Sequence, residues 1–241
     1  MAKVGDSISA PLSSWTFGGE VCVNFDDHVS KSVPGYEEGH LITSRLSDFF
    51  INCHDTHLIV DIGCSTGALL NKIHQRHSDA VNIKYIGIDS VEEMISFADS
   101  RKHINSSNIE YININLLDAI LPAKASFITS YYTMQFIHPS VRQDAFDWVY
   151  NSLNWGGGFI LFEKIRMPDA RFQDYLNQTY IEYKLSKGYT HEEILGKALS
   201  LKGVLEPFSM SGNIGLLQRA GFHDIVSVYQ NMCFMGWLAI K

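Results

Sequence analysis

Two kinds of hydrophobic spacing divide the chain. From residue 57 to 164, short runs of aliphatic and β-branched residues alternate with stretches whose apolar positions recur every three or four residues. HLIVDIG (57–63) predicts a buried strand, and ALLNKIHQRH (68–77) a helix with Leu69, Leu70 and Ile73 on its apolar side. KYIGID (84–89), NIEYINI (108–114), ASFITSYY (125–132) and GFILFEK (158–164) predict further strands. VEEMISFADSR (91–101) and a segment from Pro139 to about Leu153 predict helices between them, and NWGGGF (154–159) reads as a turn. Strand–helix alternation of this kind implies an α/β fold with a parallel sheet and helices on both faces. The tail changes pattern. Residues 169–202 read as two helices broken near Gly188, and 211–220 as another stopped by Gly221. HDIVSVYQ and CFMGWLAI, separated only by Asn231 and its neighbours, read as an antiparallel hairpin.

Composition narrows the function classes. The chain has 241 residues and is 46% hydrophobic, enough for one large α/β domain. Its net charge of −7, without a basic run, argues against nucleic acid as a partner. No apolar run is long enough to span a bilayer, and MAKVGDSISAPLSS carries no secretion-signal pattern. Cys22, Cys53, Cys64 and Cys233 are scattered without CxxC spacing, as expected of reduced thiols in a cytoplasmic protein. The pairs His54/His57 and His74/His77 lack a third ligand at metal spacing, so no metal is expected.

The first chemistry-bearing feature is Asp61-Ile-Gly63-Cys64-Ser65-Thr-Gly67, between the first strand and the first helix. Glycines there let a ligand approach the backbone, although the spacing is not GxGxxG. A plain tight turn is the competing reading. Asp89 ends the second strand, where a carboxylate can accept hydrogen bonds from two ribose hydroxyls. It can equally cap the following helix. Loop and acid together favour an adenosine-type ligand.

These residues resemble the class I S-adenosylmethionine (SAM)-dependent methyltransferases. WTF (15–17), SVPGY (32–36), DIGCS (61–65), TMQF (133–136), LNWGGG (153–158), EK (163–164), KGY (187–189) and LLQRAGF (216–222) narrow the resemblance to the bacterial carboxy-SAM synthase branch. That branch modifies SAM for tRNA wobble-uridine synthesis. The resemblance implies a Rossmann-like, seven-stranded, mostly parallel sheet with an antiparallel last strand. It also implies an N-terminal helical cover over 1–56, a SAM-binding domain over 57–241, a helical lid at about 167–204, and a homodimer. SAM is the implied cosubstrate or substrate. Carried over, Tyr36 reaches over SAM, Gly63, Cys64 and Ser65 line its methionine part, Asp89 holds the ribose, and Gln135 belongs to the pocket wall. Asp61, Gly67, Ser90, Met94, Asn115, Leu116 and Tyr131 complete the expected SAM-binding set, and Tyr131, Tyr132 and Gln135 are candidate catalytic residues.

Three positions depart from that branch. Its usual Asp after the third strand is replaced by Asn113-Ile114-Asn115-Leu116, in which Asn115 still offers an adenine partner. Its Asn-Phe before TxQF is here Tyr131-Tyr132. Its carboxylate-anchoring Lys-Arg is here Lys197-Ala198, which removes a bidentate clamp and counts against carboxy-SAM synthesis. Aromatic faces tolerate a sulfonium through cation–π attraction of about 0.5–2 kcal/mol each. Strand alternation should send Tyr131 and Tyr132 to opposite faces, so only one would meet the ligand. The lid segment YLNQTYIEYKLSKGY adds Tyr175, Asn177 and Tyr180 as candidate catalytic groups; a packing helix is the plainer alternative. The expected reaction is methyl transfer to a small molecule. The alternative makes SAM itself the substrate, its α-amine closing an azetidine-2-carboxylate ring with release of methylthioadenosine.

Overall fold

A seven-stranded sheet forms the centre of the molecule, in the order β5-β4-β3-β6-β7-β9-β8. The computed structural model describes residues 2–241 apart from 7, 11, 12, 14, 20, 53 and 103–106. Cys53 therefore lies outside the described residues; Cys22, Cys64 and Cys233 are unpaired buried thiols. In chain order the elements are β1 (Ala2–Gly5), β2 (Ile8–Ala10), α1 (Val21–Ser32), α2 (Tyr36–Leu46), β3 (His57–Ile62), α3 (Ala68–Arg76), β4 (Ile83–Asp89) and α4 (Glu92–Ser100). They continue as β5 (Ile109–Asn113), β6 (Ala125–Tyr131), α5 (Arg142–Ser152), β7 (Leu153–Lys164), α6 (Ala170–Ser186), α7 (His191–Ser200), α8 (Met210–Ala220), β8 (Asp224–Asn231) and β9 (Phe234–Ile240).

The expected topology is present. β3 pairs in parallel with both β4 and β6, while β9 runs antiparallel to β7 and β8. Every residue of β3 is buried, because helices cover both faces of a central parallel strand. Alternation splits its side chains. Leu58, Val60 and Ile62 join a core with Phe146 and Val149 of α5 and Leu216 and Leu217 of α8. Ile59 joins the opposite core with Leu70 and Ile73 of α3. The chain leaves β3 toward β4 and β5, then returns to its other side through β6. That reversal opens a crevice at the carboxyl ends of β3 and β6.

Two expectations change. The N-terminal cover is not purely helical: β1 and β2 form a small antiparallel hairpin ahead of α1, and β1 packs on α7. The LNWGGG segment is not a separate turn but the irregular opening of β7, where the register against β6 shifts between Ala125 and Phe127. The break near Gly188 is real. α6 ends at Ser186, and α7 begins at a capping box in which Thr190 and Glu193 satisfy each other's backbone amides. Among the described residues, no helix is long and apolar enough to cross a membrane.

Candidate active site

The crevice opens into a cavity of about 1460 Å³, walled below by the strand ends and above by the N-terminal segment, α6 and α7. Its floor begins at Gly63, whose backbone sits at φ +66°. A Cβ there would stand 2.3 Å from the Thr133 side chain, so the loop and the TMQF turn approach as closely as they do only because residue 63 is glycine. The Gly63 and Cys64 amides both donate to the Ile88 carbonyl, which fastens the loop to β4.

Asp89, at the end of β4, lies beside this loop. One carboxylate oxygen accepts from the Ser65 amide at 2.9 Å and the other from the Val91 amide at 2.9 Å. Each oxygen keeps a second acceptor position for a hydroxyl. Burial raises the Asp89 pKa, and the backbone amides oppose that shift. The Ser65 hydroxyl points at the Met94 sulfur, and Ser90, Met94, Asn115 and Leu116 line the same end of the cavity. The Asn115 carbonyl oxygen accepts from Leu117 N–H, which leaves its amide hydrogens for a ring nitrogen. These donors and acceptors fit an adenosine. The N-cap of α4 is Val91 rather than Asp89; the bond from the Val91 amide to Asp89 holds the turn before the helix, and Asp89 lines the cavity.

Asp61 lies deeper, fully buried and accepting from the Thr129 hydroxyl at 2.6 Å. Burial pushes its pKa up to about 7, against the pull of Thr129. A cationic ligand group beside it would restore the carboxylate. Cys64 lines the cavity with its thiol pKa raised by burial, so it is no thiolate nucleophile. Gly67 does not line the cavity. A Cβ there would stand 2.2 Å from the Tyr111 hydroxyl, so Gly67 serves helix–strand packing instead.

The β6 end overturns the alternation argument. Tyr131 and Tyr132 both line the cavity, with ring centroids 4.7 Å apart in an edge arrangement. The reason is local: the strand ends at Tyr131, and Tyr132 adopts φ +61°, which swings its ring back beside its neighbour. Tyr36 packs on both rings, and His40 lies 4.6 Å from the Tyr131 ring. The Tyr131 hydroxyl donates to the Tyr36 carbonyl at 2.6 Å. Burial pushes the Tyr131 and Tyr132 phenols well up, so they remain neutral. The set is a neutral aromatic box beside the Gly63 loop.

The other candidate catalytic residues separate. Gln135 is buried, its amide donating to the Tyr132 carbonyl and its oxygen accepting from Lys164 N–H. It holds the turn that presents Tyr132 and is a positioning residue. Tyr180 and Asn177 line the cavity; Tyr180 donates to the Ser32 carbonyl at 2.7 Å, and Asn177 accepts from Gln173. Tyr175 does not belong to the site. It is 57% exposed and packs beside Phe172, because α6 turns that side outward.

Sequence reasoning missed a cluster of cations. Lys164, Lys184 and Lys197 all line the cavity, and none makes an ion pair with an acid among the described residues. Lys164 and Lys184 stand over the Tyr180 ring, and Lys197 over Trp15. Burial lowers the Lys164 pKa, takes Lys184 to about 8 and takes Lys197 to about 6; Lys164 further lowers Lys184, and Lys184 lowers Lys197. No spacing rule joins a strand end to two different helices, so nothing in the sequence announced this cluster. Ala198, where the resembling branch has its arginine, lines the same cavity.

Comparison with known proteins identifies the fold and the family. A methyltransferase-domain family model matches residues 59–157. The chain is 38% identical over 231 residues to a carboxy-S-adenosyl-L-methionine synthase of Staphylococcus epidermidis, covering 94% of this chain and 97% of that protein. It is 33% identical to the synthase of Campylobacter lari, covering 93% and 94%. Among solved structures, an O-methyltransferase family protein from Burkholderia thailandensis superposes with a TM-score of 0.63 at 14% identity, over 92% of this chain and 59% of that one. Human N-acetylserotonin methyltransferase in complex with SAM gives 0.57 at 17%, over 86% and 52%. The chain thus spans little more than half the length of those two enzymes, and they bear on the fold alone. The protein is a SAM-utilising enzyme of the methyltransferase fold. The chain belongs to the carboxy-S-adenosyl-L-methionine synthase family.

Proposed function

We propose that the protein transfers the methyl group of SAM to a small anionic molecule held in the same cavity. The observation that carries this reading is the group Lys164, Lys184 and Lys197, three lysines facing the cavity without an acidic partner among the described residues. Lys164 disfavours the charged form of Lys184, and Lys184 that of Lys197; an anionic ligand relieves that repulsion. SAM supplies an electrophilic carbon on a sulfonium, so the protein's main task is positioning. Asp89 receives the ribose hydroxyls. The Gly63–Ser65 backbone leaves space for the methionine part. Tyr36, Tyr131 and Tyr132 offer ring faces to a cation without a charge that would quench it. Lys164 and Lys184 hold the anionic group of the acceptor.

A second reading is carboxy-SAM synthesis, favoured by relatives at 31–38% identity and by the same lysines. The loss of the arginine at Ala198 counts against it less than the sequence alone implied, since Lys197 and Lys184 face the same cavity. Lysine is nonetheless a point charge and no substitute for a planar fork.

Incubation with methyl-¹³C SAM, with and without a panel of small carboxylates, tests the readings by mass spectrometry. S-adenosylhomocysteine with a labelled methylated acid is the expected result. A SAM product heavier by one CO₂ establishes the second reading. Methylthioadenosine together with azetidine-2-carboxylate from SAM alone overturns both and establishes ring closure.

A further inference from the structure

We propose that Tyr229, on the edge strand β8, is a positioning residue: its hydroxyl fixes the Pro34–Tyr36 turn and thereby sets the Tyr36 ring against Tyr131 and Tyr132. The inference rests on the reading of those three rings as the seat of the sulfonium, and it adds a residue that does not itself line the cavity.

A row of residues crosses four strands. Tyr131 of β6 pairs with Phe162 of β7, Phe162 with Gly236 of β9, and Gly236 with Tyr229 of β8. Residues directly opposite one another share a face of the sheet, so the four lie on one side. Gly236 leaves a gap in the middle of the row, where a Cβ would stand 2.5 Å from the Phe162 ring. Without that Cβ, the Phe162 ring meets Tyr131 at 4.7 Å between centroids on one side and Tyr229 at 5.6 Å on the other. Tyr229 enters the row through a bulge. Ser227 and Tyr229 oppose the consecutive residues Trp237 and Gly236, so β8 carries one extra residue there. Bulges re-aim side chains at sheet edges, and this one puts Tyr229 opposite Gly236, where an unbulged strand would put Val228.

The two ends of the row are phenols, and both donate to the turn between α1 and α2. The Tyr131 hydroxyl donates to the Tyr36 carbonyl at 2.6 Å, and the Tyr229 hydroxyl to the Pro34 carbonyl at 2.8 Å. Between these carbonyls, Gly35 stands at φ +67° as the left-handed entry to α2. A Cβ on Gly35 would collide with the Tyr229 hydroxyl, so the contact needs glycine for its space as well as for its backbone angle. The lid holds the other end of the turn, where Tyr180 of α6 donates to the Ser32 carbonyl at 2.7 Å. Tyr36 is the first residue of α2, directly after the pinned segment. Its ring meets Tyr131 edge-on at 5.2 Å and lies within 22° of parallel to Tyr132, the centroids 6.5 Å apart. Removing the Tyr229 bond frees Pro34 and Gly35 while Tyr131 still holds the Tyr36 carbonyl. The Tyr36 ring then loses its orientation before it loses its place.

A pair of ligands reads ring placement separately from the integrity of the fold. SAM and S-adenosylhomocysteine share their adenosine and amino-acid parts, and only SAM carries the sulfonium charge. One ring's attraction for that charge corresponds to about 2- to 30-fold in affinity. The experiment is calorimetry of each ligand on the whole protein, for the wild type, Tyr229→Phe, Tyr36→Leu and the double variant. Tyr229→Phe keeps the ring against Phe162 and removes the hydroxyl alone. It should weaken SAM about threefold or more while S-adenosylhomocysteine changes by less than about 1.5-fold. Tyr36→Leu should lower the preference for SAM at least as much. Adding Tyr229→Phe to it should then change the SAM constant by less than about 1.5-fold, because residues acting through one another are not additive. Equal losses for the two ligands in Tyr229→Phe mean a merely structural role and overturn the proposal. Unchanged SAM affinity in that variant, or additive losses in the double variant, overturn it too. If Tyr36→Leu leaves the ratio of SAM to S-adenosylhomocysteine affinity at the wild-type value, the reading of the rings as the sulfonium seat fails with it. If that ratio falls in Tyr36→Leu and stays at the wild-type value in Tyr229→Phe, the rings keep their role and Tyr229 loses its own.

Discussion

The two walls of the cavity are built differently. The strand wall is densely packed: β3 is buried at every position, and each oxygen of Asp89 already has a backbone donor. The lid wall is sparse. α6 buries none of its 17 residues and reaches the body through contacts such as Tyr180 on Ser32. A wall with few buried apolar contacts opens at lower free-energy cost than the core. On the proposed function, recognition of SAM belongs to the rigid wall and admission of the second molecule to the lid wall.

The sharpest way to break that contrast is Asp89→Ala. It removes the ribose acceptor and orphans the Ser65 and Val91 amides, so SAM affinity should fall by at least about 100-fold in calorimetry, in line with two charge-assisted bonds of about 1.5–3 kcal/mol each. Next come Tyr131→Leu and Tyr132→Leu. Each takes one ring from the box, and turnover should drop about tenfold or more while the SAM dissociation constant moves less, given about 0.5–2 kcal/mol per cation–π contact. Normal turnover in both variants reduces the tyrosines to packing.

A smaller effect concerns pH. Burial raises the Asp61 pKa to about 7 in the fold from an ordinary 3.8, so between these values the folded protein holds a proton that the unfolded chain has released. Its contribution to stability therefore falls as pH rises through that window. A cationic ligand favours the ionised form, so SAM should bind more tightly as pH rises toward 7, by at most about tenfold per unit. Asp61→Asn should flatten that dependence in the same titration. The smallest effect is expected outside the site. Tyr175→Ser should change stability by no more than about 0.5 kcal/mol in urea denaturation and leave SAM affinity alone. A large loss of affinity there would show that α6 rotates inward when it closes.

Much of the rigid wall was readable in the sequence because its residues are contiguous and carry period and punctuation. HLIVDIG announces a buried strand by composition, Gly63 a close approach by the lack of a side chain, and Asp89 a polar strand end by its position. Less of the lid wall was readable. Tyr175, Asn177 and Tyr180 share one helix, yet only the last two face the cavity, because the docking angle of α6 selects its inner side. The Tyr131–Tyr132 pair misled strand alternation through a single positive φ at residue 132.

From residue 57 onward, the order of strands and helices, the hairpin that closes the sheet, and the loop and acid of the crevice follow from the sequence by itself. They depend on local period and on residue types with few structural alternatives. The aromatic box and the lysine cluster were decided by tertiary structure. Lys164, Lys184 and Lys197 come from a strand end and two separate helices, and only the fold brings their charges within range of one another. Coulomb repulsion and desolvation depend on distance and burial, and neither quantity is written in the order of residues along the chain.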